Sequence, residues 1–379
     1  MSGRDTATRG SAGTDGLPDL PLRDDLRGRT PYGAPQLDVA VRLNTNESSY
    51  DVPEAVALEI VQSVAHEVRG LNRYPDREFT ALREDLAAYL GHGLAADQIW
   101  AGNGSNEVLQ HVLQAFGGPG RTALGFTPAY SMHPIIATGT GTRWLDGRRG
   151  GDTGGFDLRA DDVAAQVRAA DPDVVFLCSP NNPTGTALPL DVVEAAYGAA
   201  GRAVVVVDEA YAEFARPGTP SALQLLPGRH RLVVTRTMSK AFALAGARVG
   251  YLAAAPTLTD ALRLVRLPYH LSSLTQAAAR AALRHADQLL ASVDAIKQQR
   301  DRIVAELPAL GLDPVPSDAN FVLFGGLDDP AATWEGLLGL GVLVRDVGIA
   351  HHLRVTAGTP DETTAFLRAL ARVTEQEKR

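Results

Sequence analysis

Five short, unbroken apolar runs recur between Thr122 and Ala253, and helical patterns fill the intervals between most of them. The runs cover residues 122–126, 174–178, 203–207, 232–235 and 249–253. A strand that is apolar at every position, rather than at alternate ones, has both faces covered. Parallel sheets impose this condition, because each crossover lays a helix on one face of the sheet. The helical stretches 107–116, 161–169 and 190–200 sit where such crossovers belong. The expectation is an α/β layered fold with a largely parallel sheet.

The pattern changes near Pro256. Helical patterns follow over 257–266 and from 274 to about 307, and then come apolar runs at 321–324, 342–345 and 353–356. A helix is expected over 333–338 and a last one from near Asp361, which together describe a smaller α+β domain. Upstream, a helix is expected to start at Pro53 with Val56, Ile60 and Val64 on one face, and a second to cover 79–90. Residues 29–42 read as loop, punctuated by Pro31 and Pro35. The first twenty residues are rich in Gly, Ser, Thr, Asp and Arg and read as a disordered tail without a signal-peptide core.

Composition narrows the function. The 379 residues carry a formal charge of −8 with no dominant basic cluster, which argues against a nucleic-acid partner. No apolar run approaches the ~20 residues that span a bilayer, so no membrane partner is expected. Cys178 is the single cysteine, which excludes an internal disulfide and suits a reducing cytoplasm. The nine histidines lack metal-site spacing, and adjacent His351 and His352 read as loop residues, so no metal is expected.

Only three lysines stand among 36 basic residues. A lysine kept in an arginine-rich chain is worth asking about, because a Schiff base needs an amine that can lose its proton. Lys297 lies in a polar run and Lys378 is next to last, whereas Lys240 follows an apolar run within Thr237-Met238-Ser239-Lys240. The ordinary reading of one lysine is a solvated surface amine, and its neighbours here argue otherwise. Asp208 ends the run Val204-Val205-Val206-Val207, where ligands of open α/β sheets bind. Such a carboxylate needs a partner, and a protonated heterocycle would serve, as would an N-cap or Mg-binding role. Ser179-Pro180-Asn181-Asn182-Pro183-Thr184-Gly185 makes a stiff turn at the same sheet edge. Gly102-Asn103-Gly104-Ser105-Asn106 precedes an apolar helix and reads either as a phosphate cradle or as an ordinary helix start. Thr237, Ser239 and Arg248 make a common oxyanion set, although Arg248 taken alone would be a surface ion pair.

In this order the motifs resemble fold-type I pyridoxal-phosphate enzymes, specifically the aminotransferase class that contains histidinol-phosphate aminotransferase. The resemblance covers nearly the whole chain after about residue 20. It includes Leu43-Asn44-Thr45-Asn46-Glu47, Asn72-Arg73-Tyr74-Pro75, Pro128-Ala129-Tyr130, Asp208-Glu209-Ala210-Tyr211, Ser317-Asp318-Ala319-Asn320-Phe321 and Leu353-Arg354-Val355-Thr356. It implies a tail over 1–20, an N-terminal arm over 21–50, a three-layer large pyridoxal-phosphate-binding domain over 51–265 and a small C-terminal domain over 266–379. Lys240 would hold the cofactor as a Schiff base and, once displaced by substrate amine, move the proton between Cα and C4′. Asp208 would keep the pyridine nitrogen protonated. Tyr211 and Asn182 would bond the ring O3′, and Tyr130 would stack on the ring. Gly104, Ser105, Asn106, Thr237, Ser239 and Arg248 would hold the phosphate, with Tyr74 reaching it from the partner subunit of a homodimer.

On the substrate side the resemblance implies Arg354 as the carboxylate anchor. Asn46, Tyr32, Tyr269 and Arg345 are the further candidates, and packing and a rim ion pair explain Tyr269 and Arg345 equally well. The implied reaction converts L-histidinol phosphate and 2-oxoglutarate to imidazole acetol phosphate and L-glutamate, a step of histidine biosynthesis in a cytoplasmic enzyme. An aminotransferase for aromatic or other amino acids, or a decarboxylase of a phosphorylated amino acid, would share the cofactor residues. A non-catalytic regulator on this fold would carry an added DNA-binding segment, for which the residues before the fold are too few. The sequence departs from the family pattern at Ser48-Ser49, in the entrance segment, and at Asn106, where many relatives carry Asp.

Overall fold

A computed structural model describes residues 20–150 and 155–377. The tail expected over the first twenty residues therefore lies, apart from Leu20, outside the described residues. The chain forms two compact units, Met1–Asp38 and Val39–Arg379. In the first, a short 3-10 turn at Asp24–Leu26 is flanked by the ion pairs Arg23–Asp25 and Arg27–Asp24.

The second unit opens with β1 (Val41–Arg42), α1 (Glu54–Val68), α2 (Thr80–Leu90), β2 (Ile99–Asn103), α3 (Ser105–Phe116), β3 (Thr122–Thr127) and α4 (Met132–Gly139). There follow β4 (Arg143–Arg148), α5 (Ala160–Ala170), β5 (Val174–Cys178), α6 (Leu190–Ala199), β6 (Val204–Asp208), β7 (Leu232–Thr237), β8 (Val249–Ala254) and α7 (Pro256–Leu262). A seven-stranded sheet runs in the order β2-β8-β7-β6-β5-β3-β4. β8 is antiparallel to both neighbours, and the other pairs are parallel. β2 and β7 therefore point the same way, and the C-terminal ends of β2, β3, β5, β6 and β7 share one edge. The reversed β8 begins at that edge, directly after Arg248.

All five expected strands are present to within two residues. β2 and β4 were not anticipated. β4, Arg-Trp-Leu-Asp-Gly-Arg, lies at the sheet's edge and is polar enough to give no apolar run, as suits an edge strand. β2 is fully apolar for only three residues before Gly102 interrupts it. The central strands are buried along their length, and Val204 to Val207 are at most 5% exposed.

Beyond α7 come α8 (Ser273–Arg284), α9 (Ala286–Glu306), β9 (Asp313–Pro314), β10 (Phe321–Gly325), α10 (Pro330–Gly339), β11 (Val342–Leu343), β12 (Leu353–Thr356) and α11 (Pro360–Glu377). The helical pattern expected to run on from 274 breaks at His285, whose backbone leaves the helical region. The two halves have different partners: α8 packs on α1 and α2, whereas α9 reaches β10 and α11. β12, β10 and β9 form an antiparallel sheet, and β1 pairs in parallel with β11.

Candidate active site

A cleft at the shared strand edge is lined by Ser105, Asn106, Tyr130, Cys178, Asn182, Asp208, Ala210, Tyr211, Thr237, Ser239, Lys240 and Arg248. The parallel strands deliver these residues directly. Cys178 and Asp208 are paired in register at the ends of β5 and β6, and Thr237 ends β7. Asp208 is 1% exposed; its Oδ1 accepts from Thr235 Oγ1 at 3.1 Å, and its Oδ2 lies 3.0 Å from His133 Nε2. His133 was not anticipated from the sequence. It stands three residues after Tyr130 at the start of α4, where its ring stacks on Phe176 with centroids 4.7 Å apart. Its spacing from Tyr130 is the one signal that could have marked it.

At the other end of the cleft, α3 begins at Ser105 with Gly104 as its N-cap and no side-chain cap, so its first amide groups face outward. Thr237 Oγ1 donates to Ser239 Oγ at 3.0 Å, and Arg248 Nη1 donates to the same oxygen at 3.3 Å. Two glycines allow this crowding. A Cβ on Gly104, which has φ +83°, would overlap the Arg248 guanidinium, and one on Gly250 would overlap the backbone of Ser105. The result is hydroxyls, amides and a guanidinium converging on one small volume, which suits an anion. Tyr130 adds its ring beside this group and donates to Asn106 Oδ1 at 3.3 Å.

Lys240 lines the same cleft, its Nζ donating to the Thr45 carbonyl at 3.0 Å. Burial, and then the nearby Arg354 guanidinium, push its pKa down to about 8. Burial raises the Tyr211 phenol to about 12 against the opposing pull of Arg354 and Asn46, and raises the Cys178 thiol to about 12. Arg354 is 6% exposed, donates to Asn182 Oδ1 at 2.6 Å and to Asn44 O at 2.8 Å, and lies over the Phe321 ring.

The remaining candidates are dispersed. Arg345 faces Arg354 across an antiparallel bridge, each backbone N–H donating to the other's carbonyl at 2.9 Å. Both amide atoms of Asn46 are engaged, Nδ2 by Tyr211 and Oδ1 by Thr356. Tyr74 is 79% exposed and stacks on Tyr269 with centroids 4.4 Å apart. Tyr32 belongs to the first unit and is half exposed. Among the described residues no group of His, Cys, Asp and Glu could hold a metal ion, and no helix is long and apolar enough to cross a membrane.

Residues 38–370 match the family model for aminotransferases of class I and II. The chain belongs to that family. Within these aminotransferases it is 66% identical over 353 residues to a histidinol-phosphate aminotransferase of Paenarthrobacter aurescens, covering 93% of this chain and 94% of that one. It is 59% identical to the enzyme of that name from Thermobifida fusca, covering 94% and 96% of the two chains. The crystal structure of histidinol-phosphate aminotransferase from Sinorhizobium meliloti in complex with pyridoxal-5′-phosphate superposes with a TM-score of 0.81. That match is 27% identical and covers 89% of this chain and 92% of the other. The aminotransferase fold thus accounts for both the sheet and the clustering of residues at its edge.

Proposed function

We propose that this protein is a histidinol-phosphate aminotransferase that uses pyridoxal phosphate and transfers the amino group between L-histidinol phosphate and 2-oxoglutarate. The observation that carries this reading is the likeness to the Paenarthrobacter aurescens enzyme, 66% identical over 93% of this chain and 94% of that one. The chemistry of the cleft supports it: an anion cradle, a buried carboxylate and an amine of lowered pKa are the groups such a cofactor needs. When bound, pyridoxal phosphate supplies an electron sink for the carbanion formed at the substrate Cα.

The residues divide the work. Ser105, Asn106, Thr237, Ser239 and Arg248, with Gly104 making room, hold the phosphate. Asp208, held in turn by His133 and Thr235, keeps a proton on the pyridine nitrogen. Tyr130 covers the ring, and Asn182 and Tyr211 meet its phenolic oxygen. Lys240 attaches the cofactor and moves the proton at Cα. Arg354 binds the α-carboxylate of 2-oxoglutarate or glutamate and the phosphate of L-histidinol phosphate through its planar fork. Tyr74 reaches the phosphate of a second subunit, which makes the enzyme a homodimer; its exposure beside Tyr269, together with Leu264 at 86% and Leu267 at 76%, supports a covered face. We further assign residues 51–265 to the cofactor-binding domain and 266–379 to the small one, with the enzyme resident in the cytoplasm.

Glutamate formation from L-histidinol phosphate and 2-oxoglutarate, measured against phenylalanine as donor, ranks the substrates. A large advantage for phenylalanine in kcat/KM would overturn the substrate assignment. Arg354→Lys is expected to lower kcat/KM about ten- to a hundredfold, because an ammonium cannot reproduce the fork; unchanged kinetics would remove Arg354 as the anchor. Attachment of the cofactor requires the unprotonated amine, so the active form of Lys240 accumulates as pH rises through its pKa. The rate of pyridoxal phosphate uptake by cofactor-free protein should therefore climb with pH and level off above about 8. A rate still rising beyond pH ~10, as for an ordinary lysine, would contradict the lowered pKa.

A further inference from the structure

Three consecutive residues, Asn44, Thr45 and Asn46, tie together groups from distant parts of the chain. Arg354 Nη2 donates to Asn44 O, Lys240 Nζ to Thr45 O, and Asn320 Nδ2 to Asn46 O at 3.1 Å. The side chain of Asn46 adds a chain of hydrogen bonds that runs from Thr356 through its amide to Tyr211. The Asn46 backbone N–H donates to Thr356 Oγ1 at 3.1 Å. The Thr356 hydroxyl gives its own hydrogen to Asn46 Oδ1 at 3.0 Å. The Nδ2 group is thereby turned toward Tyr211 and donates to the phenol oxygen at 2.9 Å. That oxygen accepts from Asn46, so its single hydrogen is left for the cleft that Tyr211 lines. The Tyr211 phenol, raised to about 12, keeps this hydrogen throughout the neutral range.

We propose that Asn46 is a positioning residue rather than a substrate contact: with Thr356 as its latch, it fixes the Tyr211 hydroxyl as a hydrogen-bond donor into the cleft. The proposal rests on reading the cleft as a pyridoxal phosphate site, where that donor meets the phenolic oxygen of the ring. Donation there favours the oxyanion and holds down the pH at which the lysine-bound cofactor loses its proton.

The test is a visible-absorbance titration of the cofactor-loaded protein. Asn46 has φ +57°, so Asn46→Gly removes the amide without backbone strain or added charge. Its titration midpoint should rise by roughly half to one pH unit, the contribution of a single hydrogen bond. Tyr211→Phe should move it in the same direction, and the Asn46→Gly/Tyr211→Phe double variant no further than Tyr211→Phe alone. Thr356→Val, similar in shape, should raise the midpoint as well, and it carries the test if Asn46→Gly does not fold. A midpoint unmoved in Asn46→Gly and Thr356→Val while Tyr211→Phe shifts it would overturn the proposal, as would fully additive shifts. A change confined to the KM for histidinol phosphate would return Asn46 to the substrate. Wild-type protein that takes up no pyridoxal phosphate would instead end the cofactor reading itself, a result distinct from an unmoved midpoint.

Discussion

Lys240→Ala is expected to lower transamination by at least about a thousandfold, the loss of both the attachment point and the group that moves the Cα proton. Among the described residues no other amine is placed to substitute. Lys297 lies on α9, paired with Asp294 at 3.5 Å, and the only other lysine is Lys378. Lys240→Arg should fail almost as completely, because a guanidinium stays charged at any working pH and cannot attack a carbonyl. The structural cost should be small, since Lys240 gives up one hydrogen bond, to Thr45 O. Melting temperature and turnover should thus separate, and a variant retaining a tenth of wild-type kcat would disprove the assignment.

Asp208→Asn should lower kcat/KM by roughly a hundred- to a thousandfold, about 3–4 kcal/mol, comparable with removing one partner of a buried ion pair. Asparagine keeps the size of the side chain and can still bond Thr235 and His133, so packing around β6 survives. Only the charge is lost, and with it the means of keeping a proton on a buried pyridine nitrogen. Weaker retention of pyridoxal phosphate on dialysis should accompany the kinetic loss. A fall of less than tenfold would remove Asp208 as the group that holds the pyridine nitrogen protonated.

Both variants act on residues that could be picked out before any coordinates. Asp208 follows four valines and Lys240 follows an apolar run, and ligands of such sheets gather at those strand ends. The polar segments were legible for the same reason: a Gly-rich or Pro-rich loop directly after a buried strand has few ordinary explanations. His133 and Thr356 were not. His133 looks like any histidine near a helix start, and its function depends on α4 carrying it over the end of β6. Thr356 matters through Asn46, 310 residues away, and no local pattern reports such a pair. The break at His285 was hidden in the same way, because both halves of that helix are amphipathic and only their different packing partners separate them.

The sequence by itself determined the layered α/β fold, the strands that carry chemistry and the residue types at their ends. Periodicity and burial are local properties, written into every few residues. Only the tertiary structure decided that β8 runs against its neighbours. Because it does, Arg248 directly precedes a strand that starts at the edge where Thr237 and Asn103 end theirs, and Gly250 passes against the backbone of Ser105. Strand direction and register depend on pairing between segments far apart in the chain, so the anion cradle exists only once the sheet has closed around it.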